Sequence, residues 1–169
     1  MERSQSKLMD IRSKIIDPSA LADRLSALRS QGKRVVFTNG CFDIIHIGHV
    51  RYLSAAKNEG DLLVVGLNSD QSVRRIKGKR RPIVKQEQRS EILASLQVVD
   101  YVTLFDEPDP LKLIQLLKPS ILVKGEDWSE DTIIGADIVK ANGGRVVRVP
   151  LVGDASTSGI IERIVKHYC

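Results

Sequence analysis

Cysteine is almost missing from this chain: Cys41 and Cys169 are the only two in 169 residues. Two thiols so far apart give no disulfide framework, which points to a reducing compartment, the cytoplasm. Histidine is nearly as scarce, with three, so a zinc site of several imidazoles has little to draw on. No apolar run approaches the roughly 18 residues that a membrane span needs. The first residues lack the continuous apolar core of a secretion signal. Internal repeats and low-complexity tracts are missing too, and hydrophobic (42%) and charged (28%) contents are those of an ordinary soluble protein. These absences leave a cytoplasmic protein with no membrane partner and one folded domain. Residues 1–18, polar with few apolar positions, read as a loosely held N-terminal arm or short helix ending before Pro18, and residues 19–169 as the domain.

Against that plain background one stretch stands out: Phe37-Thr38-Asn39-Gly40-Cys41-Phe42-Asp43-Ile44-Ile45-His46-Ile47-Gly48-His49. Val35, Val36 and Phe37 read as a buried strand, Asn39-Gly40 as a turn, and Val50, Leu53 and Ala56 or Lys57 as the spacing of a helix. His46 then lies just before a helix and His49 in its first turn. The free N–H groups and positive dipole end there attract an anion. Imidazoles can donate to phosphate oxygens, and Gly48 between them lets a phosphate or base come close to the backbone. A metal pair and a plain surface helix are the alternatives. Zinc is disfavoured because Cys41 is the only nearby thiol and paired helical ligands are usually four apart. Nucleotide binding is the favoured reading.

The net charge of +5 is concentrated. Arg74, Arg75, Lys77, Lys79, Arg80 and Arg81 fall within eight positions; without those six, 20 of the 26 basic residues remain against 21 acidic ones. A nucleic-acid binder would spread its basic charge along a face. A compact cluster suits a highly charged small substrate instead, the alternative being a solvated helix end and loop.

After a first helix over residues 20–30, capped by Ser19 and stopped by Gly32, strands and helices alternate. Strands are expected near 34–38, 62–67, 99–104, 120–123 and 145–149, and helices near 48–59, 86–96, 109–118, 131–142 and 157–167. Strands apolar throughout, such as residues 62–67, belong to a parallel sheet covered on both faces. The fold class expected is therefore α/β: a Rossmann-like, doubly wound, five-stranded parallel sheet in a single domain. Ligands bind such sheets at the carboxyl ends of the strands. Polar clusters follow the strands at Thr38 to Asp43, Asn68 to Asp70, Lys124 to Asp127 and Gly153 to Ser158. Ser156, Thr157 and Ser158 precede an apolar-periodic helix and read either as a cap or as a second phosphate-binding helix start. Gly125 permits close backbone approach, and Asp127 can accept from a ligand hydroxyl or base.

In this order the pieces resemble the cytidylyltransferase-like branch of the H-x-G-H nucleotidyltransferases. More narrowly they are similar to the D-glycero-β-D-manno-heptose 1-phosphate adenylyltransferases, the nucleotidyl-transferring half of bifunctional ADP-heptose synthases, without the sugar-kinase half. The likeness runs over residues 19–167. It rests on residues 32–43, His46-Ile47-Gly48-His49, Leu67-Asn68-Ser69-Asp70, Lys77-Gly78 with Arg81-Pro82, Glu87-Gln88-Arg89, Val99-Asp100-Tyr101-Val102, Val123-Lys124-Gly125, Gly143-Gly144-Arg145-Val146 and Ser156-Thr157-Ser158. The resemblance implies ATP and a sugar 1-phosphate as substrates and ADP-heptose and pyrophosphate as products, for lipopolysaccharide core or related heptose glycoconjugates. It also implies Mg²⁺ carried on the nucleotide phosphates with no protein metal site, direct in-line attack without a covalent intermediate, and a homodimer. His46, His49 and Lys77 are then the catalytic residues, with Lys77 bridging the reacting phosphates. Thr38, Asn39, Gly40, Phe42, Asp43, Gly48, Lys124, Gly125, Asp127, Ser156, Thr157 and Ser158 are the nucleotide-binding ones, Asp43 orienting Lys77 or the metal.

The related glycerol-3-phosphate cytidylyltransferases carry an Arg-Thr-Glu-Gly-Ile-Ser-Thr-Thr type of segment where this chain has Leu151 to Ser158. Leu151 in place of that arginine favours ATP, while Gly125-Glu126-Asp127-Trp128 resembles the Gly-Asp-Asp-Trp of the cytidylyl enzymes. The rivals are thus a cytidylyltransferase for glycerol 3-phosphate or a similar alcohol phosphate, a non-catalytic nucleotide-binding regulator, and a nucleic-acid binder resting on the basic cluster alone.

Overall fold

The computed structural model describes residues 10–150 and 155–168. Leu151 and the first part of the arm, residues 1–9, lie outside the described residues. Five runs rich in branched side chains form one sheet: β1 (Val35–Gly40), β2 (Leu62–Asn68), β3 (Tyr101–Phe105), β4 (Ile121–Gly125) and β5 (Arg145–Val149). Every pairing is parallel, in the order β3-β2-β1-β4-β5. The sheet is the doubly wound, five-stranded one expected from the alternating pattern, with β1 at its centre.

Alternate residues of the strands enter two separate cores, as the pleat requires. Val36, Leu63 and Val65 face Leu53 and Ala56 of α2 (Ile47–Lys57) and Leu93 of α4 (Gln86–Ser95). Val35, Phe37 and Val64 face Leu21 of α1 (Pro18–Ser30), Leu113 of α5 (Leu111–Leu117) and Val139 of α6 (Ala136–Ala141). With helices on both faces, the strand ends and their loops are what remain open to a ligand.

Local chemistry accounts for the departures from the sequence reading. Asp17, not Ser19, caps α1: its Oδ1 accepts from the N–H groups of Ser19 (2.9 Å) and Ala20 (3.4 Å). Pro18, with its preset φ, takes the first helical position. A further helix, α3 (Asp70–Lys77), stands where only a polar cluster and a basic run were expected. Ser72 and Val73 are its only buried residues, so it lacks the apolar stripe that marks a helix in sequence. The expected helix over 131–142 is split into a 3₁₀ turn (Glu130–Thr132) and α6, which starts after Gly135 at φ +84°. A Cβ at Gly135 would lie 2.7 Å from Ile114 Cδ1, so α5 and α6 approach here through glycine alone. Of the expected arm, residues 10–16 lie along the edge of β3. Lys14 Nζ donates to the carbonyls of Val99 (2.8 Å) and Leu96 (3.4 Å), and Ile16 N–H donates to Val102 O (2.9 Å). Among the described residues no helix is long and apolar enough to cross a membrane.

Candidate active site

The carboxyl ends of the strands open into a cleft of about 740 Å³. All the residues expected to act on a nucleotide line it except Thr38. Thr38 is fully buried beneath the floor, where its hydroxyl meets Tyr52 Oη at 2.7 Å while Tyr52 Oη donates to Val123 O at 3.1 Å. The fourth residue of β1 is still covered on both sides, so Thr38 supports the floor and does not reach a ligand.

Beyond β1 the chain turns sharply, with Phe42 at φ +45° and Ile44 at φ +56°. Left-handed conformations at bulky residues are strained and are held only by surrounding bonds. The turn delivers His46 in extended conformation at the start of α2, with His49 one turn on. Their rings stack at 3.8 Å between centroids and 26° between planes, and Phe42 packs against His49 at 5.2 Å. Both Nδ1 atoms are buried without a hydrogen-bond partner. Burial lowers the pKa of His46, and burial together with the neighbouring His46 brings His49 down to about 4. At pH 7 the pair is therefore neutral, and each ring has one N–H to offer. Gly48 keeps the arrangement possible: a Cβ there would lie 2.9 Å from His46 Cε1 and 3.2 Å from Ala155 O. The lead into α7 (Thr157–Tyr168) thus passes directly over the start of α2, and two helix N-termini meet at one cleft.

Asp43 ties this region together. Its Oδ2 accepts from Arg81 Nε (2.7 Å) and Ile83 N–H (2.8 Å), and its Oδ1 from Val84 N–H (2.8 Å). Burial alone would raise this carboxyl, but the two amides and the Arg81 guanidinium hold it below its ordinary value. Its backbone carbonyl accepts from Thr157 Oγ1 at 2.6 Å. The carboxylate holds Arg81, where the sequence reading had it orienting Lys77 or a metal. Arg89, fully buried, fastens the same loops from below. It donates to the carbonyls of Val84 (2.9 Å), Cys41 (2.6 Å) and Asn68 (2.9 Å) and to Asp70 Oδ1 (2.7 Å). The sequence places Arg81 in the basic cluster, and both Arg81 and Arg89 among the residues of the resemblance, but gives neither a partner and does not single out Tyr52; an arginine followed by proline and another inside a helix carry no sign of what they hold.

Lys77, the last residue of α3, borders the cleft, and its side chain makes no hydrogen bond or ion pair with the described residues. Of the basic cluster only Lys77 and Arg81 line the cleft. Lys124, half-buried, donates from its ammonium to Asn39 Oδ1 and lies 5.8 Å from the ring of Trp128. Burial lowers its pKa to about 8, partly offset by Asp127. Ser156 Oγ accepts from Gly159 N–H at 3.0 Å, so the cap reading holds for this residue while Ser158 keeps its hydroxyl exposed. Among the described residues no three His, Cys, Asp or Glu side chains come together as a metal site. The donors are imidazoles, ammonium groups, hydroxyls and helix N–H groups, a set that suits an anion such as a polyphosphate.

A family model described as cytidylyltransferase-like matches residues 37–163, from the middle of β1 into α7. The chain belongs to the cytidylyltransferase-like family. Its domain is that of a nucleotidyltransferase. Within the family it is 53% identical over 155 residues to the bifunctional protein HldE of Geobacter sulfurreducens, which covers 92% of this chain and 32% of that protein. The HldE of Methylobacillus flagellatus is 46% identical over 153 residues, covering 90% and 31%. The chain thus spans about a third of the length of these curated relatives. Among solved structures it is similar to a lipopolysaccharide core biosynthesis protein from Thermoplasma volcanium, at 35% identity and TM-score 0.59, over 72% of this chain and 98% of that one. The fold alone is shared with pantoate-β-alanine ligase from Francisella tularensis, at 20% identity and TM-score 0.61, over 90% and 79%.

Proposed function

We propose that the chain transfers AMP from ATP to D-glycero-β-D-manno-heptose 1-phosphate, releasing pyrophosphate and forming ADP-heptose for heptose-containing glycoconjugates such as the lipopolysaccharide core. The observation that carries this reading is the neutral His46–His49 pair at the start of α2, facing the same cleft as the start of α7, Lys77 and Lys124. The likeness to HldE and to a lipopolysaccharide core biosynthesis protein supports the choice of acceptor. We infer a cytoplasmic homodimer without a nucleic-acid role. The exposed apolar side chains of Ile164 (49%), Val165 (56%) and Tyr168 (85%) on α7 support a covered face, and Arg81 is already paired within the fold.

In the proposed reaction an oxygen of the acceptor phosphate attacks the α-phosphorus of ATP, and the bond to the bridging oxygen of pyrophosphate breaks. Two anions must meet, so the work is positioning and charge stabilisation. The histidine N–H groups donate where charge grows on the bridging oxygen. Lys77 draws the two reacting phosphates together, while Ser158 and the helix start beside it hold the far end of the triphosphate. Mg²⁺ carried by the phosphate oxygens would supply further neutralisation, and with the Asp43 carboxylate taken by Arg81 and two amides the phosphates themselves would hold it.

Neutral imidazoles in an anion site have a measurable consequence. A bound triphosphate stabilises the charged ring and so raises its pKa from the depressed value of the free protein. At about pH 5.5, between the His49 value of about 4 and that of a free imidazole, ATP binding should draw in protons. Calorimetry in buffers of different ionisation enthalpy should register that uptake, and His49→Asn, which donates but does not titrate, should reduce it. Unchanged uptake in the variant would place the titrating group elsewhere.

A second reading, CTP with glycerol 3-phosphate, has one observation in its favour: Gly125, Asp127 and Trp128 of the cytidylyl-like segment do line the cleft. Pyrophosphate release from each nucleotide with each acceptor separates the two. ATP with the heptose phosphate should exceed CTP by at least about tenfold in kcat/KM, roughly 1.4 kcal/mol of transition-state binding. Faster turnover of CTP with glycerol 3-phosphate would establish the second reading instead.

A further inference from the structure

The cleft has two unlike flanks, because β1 is the central strand and the histidines stand beyond its end. On the β4 side are Lys124, Asp127, Trp128 and Ile134, a flat apolar surface with a cation and a carboxylate. That combination suits a nucleoside: a face for the base and an acceptor for ribose hydroxyls. On the β2–β3 side are Ile76, Lys77, Arg81 and the turn of Pro108, Asp109 and Pro110. This turn is held against α3, since Ser72 Oγ donates to Glu107 O (2.7 Å) and Arg75 Nη1 to Asp106 O (3.1 Å). Asp109 therefore stands on the Lys77 flank.

A carboxylate there needs a reason. Asp109 is half-buried, accepts the Leu111 N–H on Oδ1 at 2.9 Å, and makes no ion pair with the described residues. Toward a nucleoside triphosphate and a sugar 1-phosphate its charge is repulsive, so it gains nothing from the anions the cleft is built to hold. What a carboxylate does well is accept from neutral hydroxyls, with an oxygen to spare after capping α5.

We propose that Asp109 is a specificity-determining residue for the acceptor, its free carboxylate oxygen binding hydroxyls of a polyhydroxylated sugar whose phosphate is held by Lys77. This rests on the reading that the acceptor is a sugar phosphate, and of the three carboxylates that line the cleft it assigns the two not held by Arg81, Asp127 and Asp109, to the two sugars of the reaction, ribose and acceptor.

Asp109→Asn tests it, because the amide oxygen retains the cap on Leu111 while the charge is lost. The KM for the sugar 1-phosphate should rise roughly ten- to hundredfold, with KM for the nucleotide unchanged and the melting temperature close to that of the parent. A purely capping role predicts no change in either KM. A purely electrostatic role predicts a lower acceptor KM, since a repulsive charge has gone. Either result overturns the proposal, as does an equal rise in both constants. Acceptors deoxygenated one position at a time give a second reading: the parent should lose affinity at the contacted hydroxyl and the variant should lose little more there. Should the parent form no nucleotide sugar with any nucleoside triphosphate, the functional reading fails and this assignment with it. If the parent is active and Asp109→Asn keeps its acceptor KM, only the assignment of Asp109 falls.

Discussion

Replacing His49 with alanine should lower kcat by about 10²–10³ while circular dichroism and the melting temperature stay near those of the parent. The ring lies against Phe42 and His46, with a buried Nδ1 that no protein group satisfies. Removing it deletes a donor aimed into the cleft and frees no structural partner, so the loss should fall on turnover. His46→Ala should act alike, since its Nδ1 is equally unpartnered. Lys77→Ala should also fall steeply, whereas Lys79→Ala should stay close to the parent because only the former borders the cleft. Steady-state kinetics on the four proteins decide it. Near-normal turnover in a folded histidine variant would remove the basis for charge stabilisation by the pair.

Arg89→Met should be the most destabilising single change, by about 3–5 kcal/mol, lowering the melting temperature by roughly 10 °C. Methionine fills much of the same space but leaves the carbonyls of Val84, Cys41 and Asn68, and the Asp70 carboxylate, without their donor. Arg89→Lys should recover only part of the loss, because one ammonium cannot span four acceptors in the plane of a guanidinium. Calorimetric melting of the variants is the measurement. A fall of less than about 2 °C for methionine would mean that water satisfies these groups readily.

The architecture was legible in the sequence because its carriers are repetitive. Apolar strands alternating with amphipathic helices announce a covered parallel sheet, and all five of the expected strands begin and end within two residues of those observed. The cleft was legible for a related reason: polar clusters after parallel strands converge on one edge whatever their individual roles. What stayed hidden is non-periodic. α3 is polar nearly all round, and its presence depends on a Ser69 cap and on packing of Val73. Thr38 carries a side chain suited to a phosphate but stands one strand position too deep. Arg81, Arg89 and Asp43 make bonds across 38, 48 and 114 residues of chain, and no local pattern encodes a partner that far away.

Those long spans bear on how the protein acquires its activity. The backbone and carboxylate of Asp43 join the turn after β1, the 81–84 segment and the first residue of α7. Closing loops of that length comes late for a chain collapsing from the unfolded state, after local helices and neighbouring strands have formed. The cleft is therefore expected among the last regions to set. During refolding, helical circular dichroism should return ahead of nucleotide binding, the interval being the time that the two distant segments take to find Asp43.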